Sequence, residues 1–184
     1  MLKQLTIAQV LEWRPCNRAP GEKYGRDGLK ALWAGREAIT PLEACDLPIP
    51  PEDILWLLLR PDILPNRSLH LLACDFAEHG QPPNADPRSL AAIATKRRWV
   101  NGKATDEELM KAWTLEWMDS RVWLWARMGA WAVVAASLVA CMWSEEETEA
   151  RVAERVWQLE RVRAELRALV WLTRYTVGLL LSNL

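Results

Sequence analysis

The sequence of 184 residues predicts a single all-α domain, a helical bundle with a long C-terminal helical hairpin. No stretch shows the sustained alternation of apolar and polar residues that strands require, so we predict no sheet. Proline recurs where helices would begin and glycine where they would end, which is the usual asymmetry of helix termini. No proline follows Pro87, so little in the last part of the chain interrupts a helix. We expect about seven to eight helices in total.

Residues 1–104 are expected to form short helices separated by turns. Thr40, Pro41 and Glu43 form a compact start signal, a capping box with proline at the first helical position. Pro48, Pro50 and Pro51 restrict that helix to a turn or two. The first predicted helix covers residues 6–13 and is capped by Thr6, and the second covers about 26–38. Further helices are predicted from Pro51 to the residue before Pro61 and from Pro65 to Gly80. The last of this part covers residues 87–100 and is capped by Asp86.

Residues 105–184 are expected to form the hairpin, with helices at about 106–143 and 145–181. Thr105 with Glu108 and Ser144 with Glu147 form the Thr/Ser-x-x-Glu pattern of a capping box. Of the 12 tryptophans of the chain, eight lie in this part. The second helix has apolar residues at heptad-like spacing, which predicts a buried seam; its members are Val152, Val156, Leu159, Val162, Leu166 and Leu169.

Composition favours a globular chain of the cytoplasm and argues against general nucleic-acid binding. The formal net charge of −1 provides no basic surface for a phosphate backbone. The N-terminus has no apolar core of a signal peptide, and the scattered Cys16, Cys45, Cys74 and Cys141 are expected to be reduced thiols. Residues 128–144 carry no charge, which indicates a central buried helix in preference to a short membrane span.

His70, Cys74 and Glu78 stand four residues apart on one predicted helix, with Asp75 and His79 beside them. Imidazole, thiol and carboxylate are zinc ligands, and an imidazole near a thiol can also stabilise a nucleophilic thiolate. A zinc site usually takes ligands from two segments, and no second pair of ligands completes this one. We therefore favour a half-buried polar helix face, and predict no metal, no cofactor and no catalytic residue.

The run Lys96-Arg97-Arg98-Trp99 is the one basic cluster of the chain. Arginine and lysine beside an aromatic ring suit a phosphate, a base or an acidic protein surface. At the end of a helix, the same charges also complement the helix dipole. Arg60, which precedes Pro61 after an apolar helix, is placed either to cap carbonyl groups or to bind an anion.

Three segments resemble a family of small helical, Ala/Trp-rich immunity proteins found in bacterial and phage genomes. They are ILWLLLRPDILPNRSLHLLACDFAEH, KRRWVNGKATDEELMKAW and the Ala/Trp-rich helix, and together they span about residues 50–170. The usual Ala/Trp repeat of the family is diluted here by Val, Leu and Met. The resemblance implies a non-catalytic protein that neutralises a toxin by binding it. The matched positions include Trp56, Arg60, His70, Cys74, Asp75, Trp99, Gly102 and Asp106.

These observations lead us to expect an immunity-type or inhibitor protein that binds a protein toxin or a bacterial defence effector. The expected binding residues are Arg60, His70, Asp75, Lys96, Arg97, Arg98 and Trp99. The first alternative is a phage anti-defence sponge for a small nucleotide, formed as a homo-oligomer. The remaining alternatives are an enzyme that uses Cys74 with His70, and a small membrane protein that spans residues 128–144.

Overall fold

A computed structural model describes residues 3–13, 20–81, 83–114 and 149–182. These residues form an all-α structure, as predicted from the sequence. Their eight helices are α1 (Ile7–Glu12), α2 (Pro20–Leu32), α3 (Pro41–Ala44), α4 (Pro51–Leu58), α5 (Asn66–His79), α6 (Pro87–Val100), α7 (Asp106–Thr114) and α8 (Glu149–Ser182).

The chain divides into two compact units. Unit 1 combines Met1–Leu64 with Ser144–Leu184, and unit 2 is Pro65–Trp143. The prediction of one domain over the whole chain stays a prediction.

Local capping signals set the starts of several helices. Thr40 forms the predicted capping box with Glu43, and Thr6 caps α1 as predicted, in a capping box that Gln9 completes. Before α7, the Thr105 amide donates to Glu108 over 2.8 Å, and the Glu108 amide donates to the Thr105 hydroxyl over 3.1 Å. These predicted starts are therefore confirmed.

A short strand pair in unit 1 corrects the expectation that the chain has no sheet. Strands β1 (Leu5–Thr6) and β2 (Ala38–Ile39) pair antiparallel, with Leu5 opposite Ile39. Each strand is only two residues long, so neither one shows an alternating pattern that could be recognised in the sequence. Leu5 and Ile39 are both buried, so the pair anchors the N-terminal segment in the core of unit 1.

Helix α2 begins and ends earlier than the predicted range of about 26–38. It starts at Pro20 and is kinked at Gly25, which has φ 61° and ψ −176°. Its end at Leu32 is followed by Ala34 and Gly35 with φ of 53° and 80°. Positive φ at two successive residues turns the chain out of the helix, and the sequence pattern did not reveal this turn.

The core of unit 1 forms around α4, which packs against α8 and α3. Ile54 to Leu59 are all buried, so α4 and the residue that follows it are surrounded by the unit. Helix α8 buries Leu159, Val162 and Leu166. Polar contacts accompany this packing, because Arg163 donates to the Cys45 carbonyl over 2.9 Å and Arg155 lies 3.3 Å from Glu52.

The predicted seam of α8 is only partly correct. Its middle members are buried, but Val152 and Val156 are 40% and 45% exposed. A helix of 3.6 residues per turn rotates by about 100° per residue, so Val156 lies about 120° around the axis from Val162 and about 80° from Leu166. The two successive gaps of three residues therefore place Val156 away from the face that meets the core.

The described part of unit 2 consists of α5, α6 and α7, with α6 in contact with both of the others. Its buried apolar side chains come from all three helices and include Leu69, Leu72, Phe76, Ala92, Ile93 and Leu109. Helix α6 has the predicted bounds, and the Asp86 side chain caps it by accepting from the Arg88 amide over 2.8 Å.

The two ends of the predicted hairpin are helical, in α7 and α8. Residues 115–148 lie outside the described part of the chain, so the charge-free stretch 128–144 and the Ser144 capping box do as well. Within the described helices, none is both long enough and apolar enough to span a membrane.

Gly25 supplies the first prediction, because its backbone conformation is one that residues with a Cβ atom adopt only under strain. No heavy atom of the described chain lies within 4 Å of a Cβ built there, so the strain is confined to the backbone. We expect Gly25→Ala to lower the free energy of unfolding by about 1–3 kcal/mol in urea titrations.

Gly80→Ala is the matched control. Gly80 has φ −76°, and its added Cβ would lie 3.4 Å from the Phe76 carbonyl, an ordinary contact. This substitution should change the free energy of unfolding by less than about 1 kcal/mol. Equal losses in the two variants would show that the φ of Gly25 is unimportant.

Candidate functional site

The predicted site residues of unit 2 meet where α5, α6 and α7 come together. Helix α5 contributes His70, helix α6 contributes Lys96 and Trp99, and the first residue of α7 is Asp106. We call these four residues the Trp99 cluster. Gly102 has φ 68° in the turn between α6 and α7, a conformation that favours glycine and lets α7 return towards α6.

The indole of Trp99 is held by three contacts. The His70 ring meets it edge-on, with ring centroids 5.6 Å apart and an interplanar angle of 83°. The Lys96 ammonium lies 4.1 Å from its ring centroid, within the range of a cation–π interaction. Its Nε1 donates a hydrogen bond of 2.6 Å to Asp106. These contacts restrain both the position and the rotation of a half-buried tryptophan.

The surroundings of Lys96 differ from those expected for a residue of an exposed basic patch. Its side chain is buried at 6% exposure, and burial lowers the pKa of its ammonium. An ammonium covered by protein on most sides cannot act as a freely accessible anion-binding group. Its contact with Trp99 instead makes Lys96 part of the support of the indole.

Arg97 points towards the acidic residues of α5. It lies 2.6 Å from Asp75 and 2.5 Å from Glu78, so one guanidinium bridges two carboxylates. Burial opposes its charge, but the hydrogen bonds to both carboxylates outweigh this effect and raise the pKa of Arg97. Asp75, which we expected at the binding site, is thereby engaged in an ion pair that ties α5 to α6.

Arg98 is the most exposed member of the basic run. Its side chain is 53% exposed, and it lies 3.1 Å from Glu108 and 3.2 Å from the Lys103 carbonyl. The three basic side chains thus have three different surroundings and do not form one cationic surface. Acidic residues of α5 and α7 pair with Arg97 and Arg98, and anion binding at the basic run stays a prediction.

The pair of Cys74 and His70 lacks the electrostatics of a thiol nucleophile. Burial raises the pKa of Cys74 to about 11, and this outweighs the opposing effects of Arg97 and Lys96. Burial and the charge of Lys96 lower the pKa of His70 to about 4. At neutral pH the thiol is therefore protonated and the imidazole is neutral, the opposite of an activated thiolate–imidazolium pair.

A zinc site at His70, Cys74 and Glu78 receives no support from the described residues. Among them, no group of three or more His, Cys, Asp and Glu side chains is placed to hold a metal ion. Glu78 is paired with Arg97, and Nδ1 of His70 is buried without a hydrogen-bond partner. The spacing of four residues along α5 therefore does not gather these side chains around one point.

Arg60, in unit 1, forms a separate cluster with two tryptophans. Its Nε donates to the Trp56 carbonyl over 3.0 Å, which is the capping role expected from the sequence. Its guanidinium carbon lies 3.9 Å from the Trp56 ring centroid and 5.0 Å from that of Trp13. The two indoles meet edge-on at 6.0 Å. Arg60 is thus a packed part of the end of α4.

Sequence reasoning missed a polar cluster in unit 1. Asp53 is buried at 6% exposure and accepts hydrogen bonds of 2.6 Å from both Lys23 and Tyr24. Burial and the hydrogen bond to Asp53 raise the pKa of Tyr24. Lys23 and Tyr24 precede the helix predicted at about 26–38, and Asp53 lies in the helix predicted to begin at Pro51. No local signal joins residues about thirty positions apart.

The second prediction concerns the pH dependence of stability through His70. Its pKa is lower in the folded chain than its ordinary value of 6.5, so the unfolded chain binds the proton first as the pH falls. The stability is fully present above pH 6.5 and is lost as the pH falls towards about 4. Because His70 is only half-buried, we expect a loss of about 1–2 kcal/mol.

His70→Phe keeps an aromatic ring beside Trp99 and removes the titration. Urea unfolding between pH 4 and 7 should therefore give a flatter profile for this variant than for the parent chain. His79→Phe, at an exposed position of the same helix, is the control and should keep the parent profile. Identical profiles for the parent and His70→Phe would exclude His70 as the source of the effect.

Comparisons with known proteins give no direct assignment. Searches against protein-family models, curated proteins and solved structures find no match to this chain.

Proposed function

We propose that this protein is a non-catalytic, immunity-type inhibitor that neutralises a protein toxin or a bacterial defence effector by direct binding. The observation that carries this proposal is the restraint of Trp99 by His70, Lys96 and Asp106. The proposed contact surface is the C-terminal end of α6 together with α7.

A restrained tryptophan is well suited to anchor a protein interface. A few residues supply most of the binding energy of such interfaces, and tryptophan, tyrosine and arginine are the commonest among them. Ordering a mobile side chain during association costs about 0.5–1.5 kcal/mol. The three contacts of Trp99 are already formed in the free protein, so this cost is largely met before a partner binds.

The residues around Trp99 have the composition of an interface. Arg98 is half-exposed, and Met110 of α7 is 59% exposed. Met110 follows Asp106 by four residues, so the two lie on one face of α7. Arginine, methionine and tryptophan are all enriched in protein–protein interfaces relative to other surfaces. The proposed surface carries both acidic side chains, such as Asp106, and basic ones, such as Arg98. This mixture favours a partner surface of mixed charge over a polyanion.

The residues that carry the family resemblance lend further support. Trp99 contacts both His70, which lies on a different helix well before it in the sequence, and Asp106, the first residue of α7. Gly102, another matched position, has the positive φ of the turn that leads into α7. Three of the four members of the Trp99 cluster, His70, Trp99 and Asp106, are thus matched positions.

The nucleotide-sponge alternative is less well supported. A nucleobase needs an open aromatic face, and stacking on it is the main source of affinity. The guanidinium of Arg60 occupies the faces of Trp13 and Trp56, and Lys96 occupies one face of Trp99. At these three tryptophans, a cation of the protein itself already covers an indole face.

The third prediction tests the proposed surface by affinity capture from the native or infected cell. The tagged parent chain should retain one protein in stoichiometric amount, and co-expression should relieve the toxicity of that protein. Trp99→Ala should weaken binding at least about 30-fold, the expected effect of removing an anchor worth about 2 kcal/mol. Arg98→Glu should weaken it about tenfold.

Arg88→Glu is the matched control for Arg98→Glu. Both arginines lie on α6, at opposite ends, and their side chains are 61% and 53% exposed. The control should retain the partner within about twofold, while thermal midpoints show that every variant is folded. Release of a nucleotide without any protein partner, or equal binding by all variants, would refute the proposal.

A further inference from the structure

Helix α8 has an exposed face that is mostly apolar along its length. Its exposed positions recur with helical spacing, so they form one continuous strip, which we call the outer stripe. Only two of its members, Glu160 and Arg167, are charged. The outer stripe consists of Val152, Ala153, Val156, Glu160, Ala164, Arg167, Ala168, Trp171, Leu172 and Tyr175.

Large apolar side chains are concentrated at its C-terminal end. Trp171, Leu172 and Tyr175 are 60%, 50% and 54% exposed, and the rings of Trp171 and Tyr175 stack with centroids 5.1 Å apart. Val152 and Val156 provide smaller apolar side chains at the other end. A contiguous exposed patch of this kind marks an interaction surface, whereas single exposed apolar residues do not.

The outer stripe of one α8 is complementary to the outer stripe of a second α8 that runs in the opposite direction. Three pairs of its members stand equally distant from the midpoint between residues 163 and 164 and carry complementary side chains. Val152 corresponds to Tyr175, Val156 to Trp171, and Glu160 to Arg167. An aliphatic side chain thus corresponds to an aromatic one, and an acidic side chain to a basic one.

We propose that the partner of the outer stripe is a second copy of this chain, packed antiparallel along α8 about a twofold axis near Ala164. A twofold interface uses the same patch on both subunits, so the patch must be self-complementary, as the outer stripe is. Ala164 and Ala168 are small, which allows two helix axes to approach to about 8 Å. The aromatic end of each stripe then packs against the valine end of the other.

Charge decides the relative direction of the two helices. In a parallel pair, Glu160 would face Glu160 and Arg167 would face Arg167, and both contacts would be repulsive. The antiparallel pair instead forms two Glu160–Arg167 contacts. Arg167 makes no ion pair with any described residue, whereas Glu160 has only a long contact of 3.6 Å with Arg163. Both charges are therefore available to a second copy.

This inference is independent of the proposed function. The outer stripe belongs to unit 1 and the Trp99 cluster to unit 2. A failure of the dimer would leave the partner experiment unaffected, and the reverse also holds.

The fourth prediction uses sedimentation equilibrium of the full chain, which should be a dimer. Trp171→Glu should give a monomer. Glu160→Arg alone and Arg167→Glu alone should each weaken dimerisation at least about tenfold, because each places like charges in contact. The double variant Glu160→Arg/Arg167→Glu should restore it. Glu165→Arg makes the same charge change beside the stripe and should leave the dimer intact.

Cysteine cross-linking tests the antiparallel register. Ala164→Cys lies at the proposed axis and should form an intermolecular disulfide under mild oxidation. Ala153→Cys should not, since two copies of residue 153 would stand about 31 Å apart along the helix at 1.5 Å per residue. A monomeric parent chain, a dimer unaffected by the stripe variants, or equal cross-linking at both positions would overturn the inference.

Discussion

The burial of α4 is the constraint on which unit 1 depends. Four of the five described helices of this unit have thirteen residues or fewer, and isolated helices of that length are marginal in water. Their stability must come from tertiary packing. Ile54 to Leu59 are all buried, and α3 and α8 both pack on the apolar surface of α4. The ion pairs around this core, such as Arg155 with Glu52, lie at its edge and set orientation more than stability.

In unit 2, charge and aromatic contacts combine to hold a tryptophan in place. Arg97 joins α6 to α5 through Asp75 and Glu78, and Trp99 joins α6 to α7 through Asp106. Lys96, Arg97 and Arg98 therefore all make contacts within the protein, with Trp99, with Asp75 and Glu78, and with Glu108. The surface that results is defined by shape and by a mixture of charges, which suits recognition of a folded protein better than attraction of a polyanion.

The sequence predicted what depends on neighbouring residues and missed what depends on distant ones. The bounds of α6 were predicted correctly because Asp86-Pro87 and the residues near Gly102 act locally. The end of α2 was not, because positive φ at Ala34 and Gly35 has no clear signal in the pattern. The site residues of unit 2 were predicted as a group, but the contacts among them were not. Arg97 and Asp75 are 22 positions apart, and only the packing of α5 on α6 brings them together.

The order of the two units along the chain has a consequence for biosynthesis. Unit 1 is made from both ends of the sequence, and Arg163 reaches the Cys45 carbonyl across 118 positions. Unit 2 lies between these ends and is one continuous segment of the sequence. During synthesis, unit 2 is therefore complete while the first part of unit 1 still lacks α8. The apolar residues of α4 stay uncovered by α8 until α8 leaves the ribosome, and apolar surface exposed during this interval favours aggregation.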